Sequence, residues 1–450
     1  MTRQILVVAP DRPEAHPSIG AALREARDGA LIFIAAGTYA EQVVVDRSVT
    51  LSAEQGPGSV RICGGEQGST LIVDAATVTL SALEFIGADE EAPILDVRRG
   101  EAVLDGCAID GAGRMAVLAH ESGTLAVRDC RIANRLGAGI VVTSAEGGVV
   151  EQTTFAEIGS SAVVVSERGR LTVNGCTIDR PVGNGIYVNR YGHADVEDCV
   201  IIGCGKPAVA LEHNAGAQLA RLRVSDGEGL DLYIATRAEV VVEDCDFSGS
   251  AGISVQIAGG SSPVLTECLI ADPARVGVYV TGGARPRFER MQIEGAPVGI
   301  VADGASVLTF NEVDVLYAQR DAVVVSGGAT AHFEGIVVEG SGDGVTASSG
   351  SEVHISGGVL KVSGAGVAVS GIAQLSLESS MLRACGASVV ADASLTATDT
   401  EFSEEIVIRD RGRAVLHSCR MVSRAGEAVD LRDGEIALSG PMVPTARCEA

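Results

Sequence analysis

A cysteine recurs along this chain at a fixed interval, and the interval restricts the possible folds severely. The repeated segments are LDGCAI, VRDCRI, VNGCTI, VEDCVI, VEDCDF and LTECLI, which contain Cys107, Cys130, Cys176, Cys199, Cys245 and Cys268. Successive cysteines are 23 or 46 residues apart, and Thr153 and Leu222 occupy the two skipped positions. A period this strict predicts a solenoid in which each repeat packs only on its neighbours.

The recurring cysteines are predicted to be buried, reduced and structural. Each one lies three residues after a Val or Leu and two before an Ile or Phe, so it should point into the core as a small apolar side chain. Parallel strands stacked about 4.8 Å apart give poor disulfide geometry. Catalytic or metal-binding thiols are the alternative, but Cys199 and Cys204 lack the Cys-x-x-Cys spacing of a zinc site. We therefore predict no metal site.

A second motif follows each cysteine segment and alternates like a strand with one buried face. Its copies include GIVVT, AVVVS, GIYVN, AVALE, GLDLY, GISVQ, GVYVT and GIVAD. The predicted inward residues are Ile186, Val188, Val209, Leu211, Leu230, Leu232, Ile253 and Val255. The predicted outward residues are Val141, Val164, Tyr187, Ala210, Asp231, Ser254, Tyr279, Val301 and Val324. The two motifs predict an all-β parallel β-helix, because a leucine-rich repeat of similar period would show an Asn ladder and a helix pattern.

Composition supports short strands and argues against some partners. The chain has 450 residues, 56 glycines against 13 prolines, and 3% aromatic residues, which favours thin layers of Val, Ile, Leu and Ala joined by tight turns. A net charge of −25 repels nucleic acid and anionic membranes. The N-terminal apolar run is too short for a signal peptide or a membrane span, so we expect a cytoplasmic protein. No cofactor is predicted.

Both ends of the solenoid are predicted to be capped. At the N-terminus, Ser18 should N-cap a helix that runs to about Arg27, with Gly29 after its end. Its apolar face contains Ile19, Leu23 and Ala26. Toward the C-terminus the repeat becomes shorter, as the intervals between Ser380, Thr400 and Cys419 show. We predict an N-terminal cap at residues 1–57, about 16 coils with a period of about 23 at 58–440, and a tail at 441–450.

The segment SIGAALREARDGALIFIAAGTYAEQVVVDRSVTLSAE, residues 18–54, resembles the start of the pectate-lyase-like superfamily of right-handed parallel β-helix repeat proteins. The resemblance implies a right-handed coil with three sheets per turn. It does not extend to the catalytic motifs of pectin methylesterases or polygalacturonases, which this chain lacks, and we assign no calcium cluster like that of pectate lyases. Similar acidic, lysine-poor β-helices occur in actinobacteria beside or fused to AAA-type ATPases, which keeps a scaffold role open.

Polar and aromatic residues concentrate in the middle coils, where stacking would align them into a groove. The predicted ligand-binding residues are Tyr187, Asn189, Arg190, Tyr191, Tyr233, Arg237, Gln256 and Tyr279. The candidate acids and bases are Asp231, Glu212, His193 and His213. Ordinary polar turns on a solvated surface would give the same pattern. A second polar set is predicted to form surface ion pairs: Arg285, Arg287, Glu289 and Arg290.

Two functions remain open from the sequence. The first is a cytoplasmic binding or scaffold protein whose extended groove takes a carbohydrate, peptide or protein. The alternative is an intracellular carbohydrate-active or biosynthetic enzyme, a lyase, hydrolase or isomerase. The missing catalytic motifs favour binding. Outward Val141, Val164, Val301 and Val324 also suggest a homodimer, since monomers rarely leave long apolar strips bare.

Overall fold

The computed structural model describes residues 3–422 and 429–440, together with the backbone of residues 443 and 444. This part of the chain contains one α-helix, Ile19–Glu25, and otherwise consists of short strands that pair in parallel. The chain divides into two compact units, Met1–Glu228 and Gly229–Ala450, which we call unit 1 and unit 2.

Each coil contributes one strand to each of three parallel sheets. Sheet A begins at the cysteine position, sheet B contains the second motif, and sheet C leads to the next cysteine. A residue pairs with its equivalent one coil later, as Thr177 does with Val200 in sheet A. This pairing interval equals the period of the cysteine repeat, so the predicted parallel β-helix is confirmed.

The strands of unit 1 follow this order through successive coils. Sheet A contains Gly37–Ala40, Val60–Cys63, Glu84–Ile86, Ala108–Gly111, Arg131–Asn134, Thr154–Ile158, Thr177–Asp179, Val200–Ile202 and Arg223–Ser225. Sheet B contains Val43–Val45, Ala138–Val142, Val163–Val165, Ile186–Val188 and Val209–Glu212. Sheet C contains Ile5–Val8, Ala30–Ile34, Val49–Ala53, Gly148–Glu151, Arg170–Asn174, His193–Glu197 and Gly216–Ala220. Longer strands continue from sheet B into sheet C at Leu71–Ser81, Leu95–Asp105 and Met115–Arg128.

The strands of unit 2 repeat the same order. Sheet A contains Asp246–Ser248, Leu269–Ala271, Val359–Lys361, Met381–Leu382, Glu401–Phe402, Arg420–Met421 and Val443–Pro444. Sheet B contains Leu232–Ala235, Ile253–Ile257, Val276–Val280, Val298–Ala302, Asp321–Val325, Asp343–Ala347, Val367–Val369, Ala387–Val389, Ile406–Arg409 and Val429–Arg432. Sheet C contains Val240–Glu243, Val264–Thr266, Glu352–Ser356, Gln374–Glu378, Ser394–Thr398, Arg413–His417 and Glu435–Ser439. Longer strands pass from sheet C into sheet A at Arg287–Glu294, Val307–Leu316 and Thr330–Glu339.

The prediction of buried, reduced cysteines is confirmed. All six repeat cysteines are at most 4% exposed and lie outside any disulfide. Contact with the neighbouring thiol and burial raise the pKa of Cys107, Cys199 and Cys268, so these thiols stay protonated at neutral pH.

A sharp corner precedes each cysteine position. In unit 1 the corner residue has a positive φ at Gly106, Asp129, Gln152, Gly175, Asp198 and Arg221. A left-handed residue reverses the local direction of the chain and lets sheet C end and sheet A begin within one residue. Gly, Asp, Gln and Arg all occupy this corner, and for this reason the sequence pattern did not reveal it.

The N-terminal helix forms largely as predicted. The Ser18 hydroxyl accepts a hydrogen bond from the Ala21 N–H at 3.1 Å, and Ile19 and Leu23 are buried. The helix ends at Glu25, two residues earlier than expected, because Ala26 adopts an extended conformation with ψ 143°. That the helix is required as a cap stays a prediction.

The coil count was underestimated. The β-helix makes about 19 turns, against about 16 predicted, because residues before 58 already coil and later coils are shorter. The predicted shortening is confirmed in sheet A, where Met381 pairs with Glu401 and Glu401 with Arg420. Apart from the strand at residues 443 and 444, the predicted tail at 441–450 lies outside the described residues.

Candidate functional site

One column of outward residues runs along sheet B in unit 1. The register pairs Val141 with Val164, Val164 with Tyr187, and Tyr187 with Ala210. The predicted order of this column is therefore confirmed. The two valines and the tyrosine are half-buried, whereas Ala210 is only 4% exposed.

Tyr187 lies in a chain of polar side chains that spans three coils. Its hydroxyl donates to Glu212 Oε2 at 2.8 Å, and Asn189 lies two residues further along the same coil. The Ser166 hydroxyl donates to Asn189 Oδ1 at 2.5 Å. Burial, followed by the hydrogen bond to Glu212, raises the pKa of Tyr187, so the phenol remains a neutral donor. The chain fixes the tyrosine ring and one carboxylate oxygen relative to each other.

Two turns whose residues have positive φ values follow the strands that contain Tyr187 and Glu212. Arg190 and Tyr191 have φ values of 47° and 68°, and His213 and Asn214, one coil later, have φ values of 53° and 62°. Glu167 and Arg168, one coil earlier, have a similar pair of positive φ values, 55° and 76°, so this conformation belongs to the repeat. The turns hold Arg190 and Tyr191 exposed beside the end of the sheet B strand. An ion pair joins Arg190 to Glu167 at 3.5 Å.

The predicted acids and bases of unit 1 contact different partners. Glu212 contacts Tyr187 in sheet B, but His193 begins a strand of sheet C and its Nε2 lies 3.1 Å from Asp195 Oδ1. His213 is exposed in the turn between the two sheets. The sequence placed these residues together because they are close along the chain, whereas the turn after each sheet B strand separates their sheets.

In unit 2, the predicted outward orientation of Asp231 is wrong. Asp231 is fully buried, and the Ser254 hydroxyl donates to its Oδ2 at 2.7 Å. Leu232 pairs with Val255, and Tyr233 pairs with Gln256, so the outward column passes through Tyr233 rather than Asp231.

The outward column of unit 2 consists of Tyr233, Gln256, Tyr279, Val301 and Val324. The predicted register was two residues out at GLDLY and GISVQ: the structure keeps intervals of 23 residues from Tyr233 to Gln256 and from Gln256 to Tyr279, whereas the predicted column needed 25 residues from Ser254 to Tyr279. Leu230 and Ile253, predicted to point inward, are consequently only half-buried.

Tyr279 makes the main polar contact of this second column. Its hydroxyl donates to Asp303 Oδ2 at 2.8 Å, and Thr281 lies two residues after it. Tyr233 and Gln256 are half-buried, and Arg237 is exposed after the end of its strand. Since Tyr187 and Tyr279 belong to different units, the single groove predicted through both stays a prediction.

Sequence reasoning missed a further polar group in unit 1, centred on Asp96. Asp96 precedes Leu118 in the column that continues to Val141, and it is only 6% exposed. Its Oδ1 lies 2.9 Å from His120 Nε2, and its Oδ2 accepts from Arg98 at 2.7 Å. Extending the second motif back into the long strands Leu95–Asp105 and Met115–Arg128 would have found it.

The second polar set behaves as ordinary surface charge where it forms pairs. Arg287 pairs with Glu289 at 2.7 Å, and Arg290 pairs with Glu267 at 2.8 Å, with both arginines exposed. Among the described residues, no group of three or more His, Cys, Asp and Glu side chains is placed to hold a metal ion. None of the helices in that part of the chain is long and apolar enough to cross a membrane.

Comparison with known proteins identifies the family. A search of curated proteins found no match. The catalytic domain of a GH87 α-1,3-glucanase in complex with nigerose aligns at 12% identity and a TM-score of 0.48, covering 69% of this chain and 64% of the glucanase. The GH87 α-1,3-glucanase of Streptomyces thermodiastaticus aligns at 14% identity and a TM-score of 0.39, covering 72% and 60%. A pectin methylesterase from Aspergillus niger aligns at 17% identity and a TM-score of 0.34, covering 56% and 86%.

These structural similarities concern the fold, and the chain spans less than two thirds of the length of the glucanases it matches. The sequence itself matches the family described as right handed beta helix region at residues 94–226 and 209–357, more than half of the chain. The coil is therefore right-handed, as the N-terminal resemblance implied, and the chain belongs to the right-handed β-helix family.

Proposed function

We propose that the protein is a binding protein and that the Tyr187 end of its sheet B column in unit 1 takes an extended neutral carbohydrate. The observation that carries the proposal is the hydrogen bond from Tyr187 to Glu212, which joins adjacent coils at 2.8 Å beside the exposed side chains of Arg190 and Tyr191. Such a fixed pair of an aromatic ring and a carboxylate suits a ligand that presents C–H faces and hydroxyl groups.

Charge favours a neutral ligand. With a net charge of −25, the protein repels polyuronides and other polyanions at long range. A carboxylate held by Tyr187 retains lone pairs for hydroxyl donors, and O–H···O⁻ hydrogen bonds are among the stronger polar contacts. Arg190, already paired with Glu167, can donate to ring or hydroxyl oxygens without attracting a polyanion by itself. A basic peptide is the competing ligand class.

The individual contacts of the candidate acids and bases favour binding over catalysis. His193 is in sheet C, and Asp231 is buried in unit 2 under Ser254. Glycoside hydrolysis generally uses two carboxyl groups about 5–9.5 Å apart that flank one bond. Glu212 instead accepts a hydrogen bond from the Tyr187 phenol, and the raised pKa of Tyr187 keeps that phenol protonated at neutral pH. The enzyme alternative therefore becomes an outcome of the binding experiment.

The first test measures binding to neutral hexasaccharides of glucose, mannose and xylose, with oligogalacturonate and an oligolysine peptide as comparison ligands. We expect saturable binding of at least one neutral hexasaccharide. Tyr187→Phe removes one hydroxyl and Glu212→Gln removes one charge, so each should weaken binding about tenfold or more. Calorimetry gives the affinity, and thermal unfolding checks that each variant is folded.

Tyr317→Phe is the matched control, because Tyr317 is 61% exposed and lies outside both outward columns. It should bind like the parent protein. Binding that is unchanged in Tyr187→Phe and Glu212→Gln would contradict the proposed site, and preference for oligolysine would replace the carbohydrate with a basic peptide. Release of shorter sugars by the parent, lost in Glu212→Gln, would establish the enzyme alternative.

Two earlier expectations remain part of the proposal. A cytoplasmic location predicts that the protein stays with the soluble contents of cells after the envelope is removed. A homodimer through the outward valines predicts a mass of two chains in solution. Val164→Glu, which places a charge in the unit 1 column, should then give a single-chain mass.

A further inference from the structure

The polar constellation around Tyr187 occurs a second time, in unit 2. Tyr187 pairs with Ala210 in the next coil, and its partner Glu212 lies two residues after Ala210. Tyr279 pairs with Val301, and its partner Asp303 lies two residues after Val301. The two tyrosines therefore reach a carboxylate at the same position of the next coil, at the same distance of 2.8 Å.

The third member of the constellation is also repeated. Asn189 and Thr281, both polar, each lie two residues after their tyrosine. Burial followed by the carboxylate hydrogen bond raises the pKa of Tyr279 as it does that of Tyr187. Both phenols are thus half-buried neutral donors that orient a carboxylate, and each is followed two residues later by a polar side chain.

The surroundings of the two constellations differ in a way that predicts different affinities. In unit 1, Arg190 and Tyr191 occupy the adjoining turn and are exposed. In unit 2 the corresponding turn consists of Gly282 and Gly283, with φ values of 65° and 72°. The unit 2 site therefore lacks the turn side chains that could contact a ligand.

We infer that the protein has a second carbohydrate-binding site, formed by Tyr279, Thr281 and Asp303, which takes the same class of neutral sugar as the Tyr187 site with lower affinity. The inference rests on the proposed function, because it transfers the ligand class from one constellation to the other. Each unit then binds one sugar chain independently when the ligand is short.

The test uses the full chain and the neutral hexasaccharide that gives the strongest response in the panel described above. Calorimetry of the parent should show two sites with dissociation constants that differ by about tenfold. Tyr279→Phe and Asp303→Asn should each weaken the low-affinity site by about tenfold or more and leave the other unchanged. Tyr187→Phe should do the reverse. Tyr317→Phe should retain both sites.

The different failures separate the two claims. If the parent binds no neutral hexasaccharide, the proposed function fails. If it binds one hexasaccharide per chain, with an affinity that Tyr187→Phe weakens and Tyr279→Phe leaves unchanged, the proposed function stands and the second site is refuted. Two sites that both survive Tyr279→Phe and Asp303→Asn, in variants that unfold at the parent temperature, would also refute the assignment.

Discussion

At the scale of single residues, the cysteine position has a polar role that its apolar pattern conceals. The Cys199 sulfur accepts a hydrogen bond from the Cys176 N–H at 3.4 Å. Thr153, which occupies a cysteine position of the repeat, accepts one from the Cys130 N–H through its hydroxyl at the same distance. Ser380 accepts the Gly358 N–H at 3.1 Å. A small side chain with a sulfur or oxygen atom therefore fills the layer and also pairs with a buried N–H group.

This pairing predicts the order of stability among variants of Cys199. Cys199→Ala leaves a small cavity and removes the acceptor of the Cys176 N–H, which should cost about 1–3 kcal/mol. Cys199→Thr keeps an acceptor and should cost less, whereas Cys199→Asp buries a charge and should cost more. Denaturant unfolding of the three variants checks the order. Equal stability of the Ala and Thr variants would show that the sulfur contributes only volume.

At the scale of one element, the start of the N-terminal helix is hydrogen-bonded both by its own N-cap residue and by a residue between two later strands. The Ser18 hydroxyl accepts from Ala21, while the Glu41 carboxylate accepts from the N–H groups of Ile19 at 2.8 Å and Gly20 at 3.0 Å. A seven-residue helix has little stability of its own, so these contacts and its buried apolar face fix it in place.

We predict that this N-terminal element protects the first coils from association. Deleting residues 1–29 removes the helix and the strand Ile5–Val8, and leaves Ala30–Ile34 with only one of its two parallel partners, Val49–Ala53. The exposed strand edge and apolar layer should cause aggregation or a loss of cooperative unfolding. Light scattering and calorimetry measure both. A shortened protein that remains dispersed with the parent melting curve would contradict the capping role.

A milder change tests the hydrogen bonds at the start of the helix without deleting any strand. Ser18→Ala with Glu41→Gln removes the Ser18 acceptor, one of the two Glu41 acceptor oxygens and the carboxylate charge, and it keeps every strand, so it should lower the unfolding free energy by about 1–2 kcal/mol without aggregation.

At the scale of the whole molecule, charge should set the pH dependence of stability. Ion pairs with Arg221, Lys361 and Arg409 lower the pKa of Asp198, Glu339 and Asp430, respectively. Carboxylates with a lowered folded-state pKa contribute stability above their unfolded pKa of about 4, and that stability is lost as the pH falls further through the folded pKa. Against this, the net charge of −25 opposes compaction at neutral pH.

These opposing effects predict a melting temperature that rises as the pH falls from 8 to about 5 and drops below about pH 4. The rise comes from relief of repulsion as the charge approaches zero near the pI of 4.6, and the drop comes from protonation of the paired carboxylates. Added salt should flatten the rise by screening. Calorimetry across this range, at low and at high salt, gives the curve. A melting temperature that is highest at pH 8 in low salt would contradict the account.

Local chemistry repeated at a fixed interval was enough for the sequence to determine the architecture. The regular period predicted parallel coils, buried Cys107 to Cys268, and the unit 1 column through Val141, Val164 and Tyr187, all of which the structure contains. In that part of the chain the interval is constant, so counting residues along the sequence is equivalent to moving along the sheets. The Ser18 cap was predictable for the same reason, since a helix start is a local signal.

Only the tertiary structure decided which polar groups meet. Asp231 is buried because it lies just before the strand Leu232–Ala235 and not within it, the column passes through Tyr233, and Asp96 contacts His120 in the next coil. The contacts of Tyr187 with Glu212 and of Tyr279 with Asp303 cross from one coil to the next, 25 and 24 residues along the chain. Such pairs depend on the corners and turns between sheets, whose backbone conformations many residue types adopt, and so no local pattern specifies them.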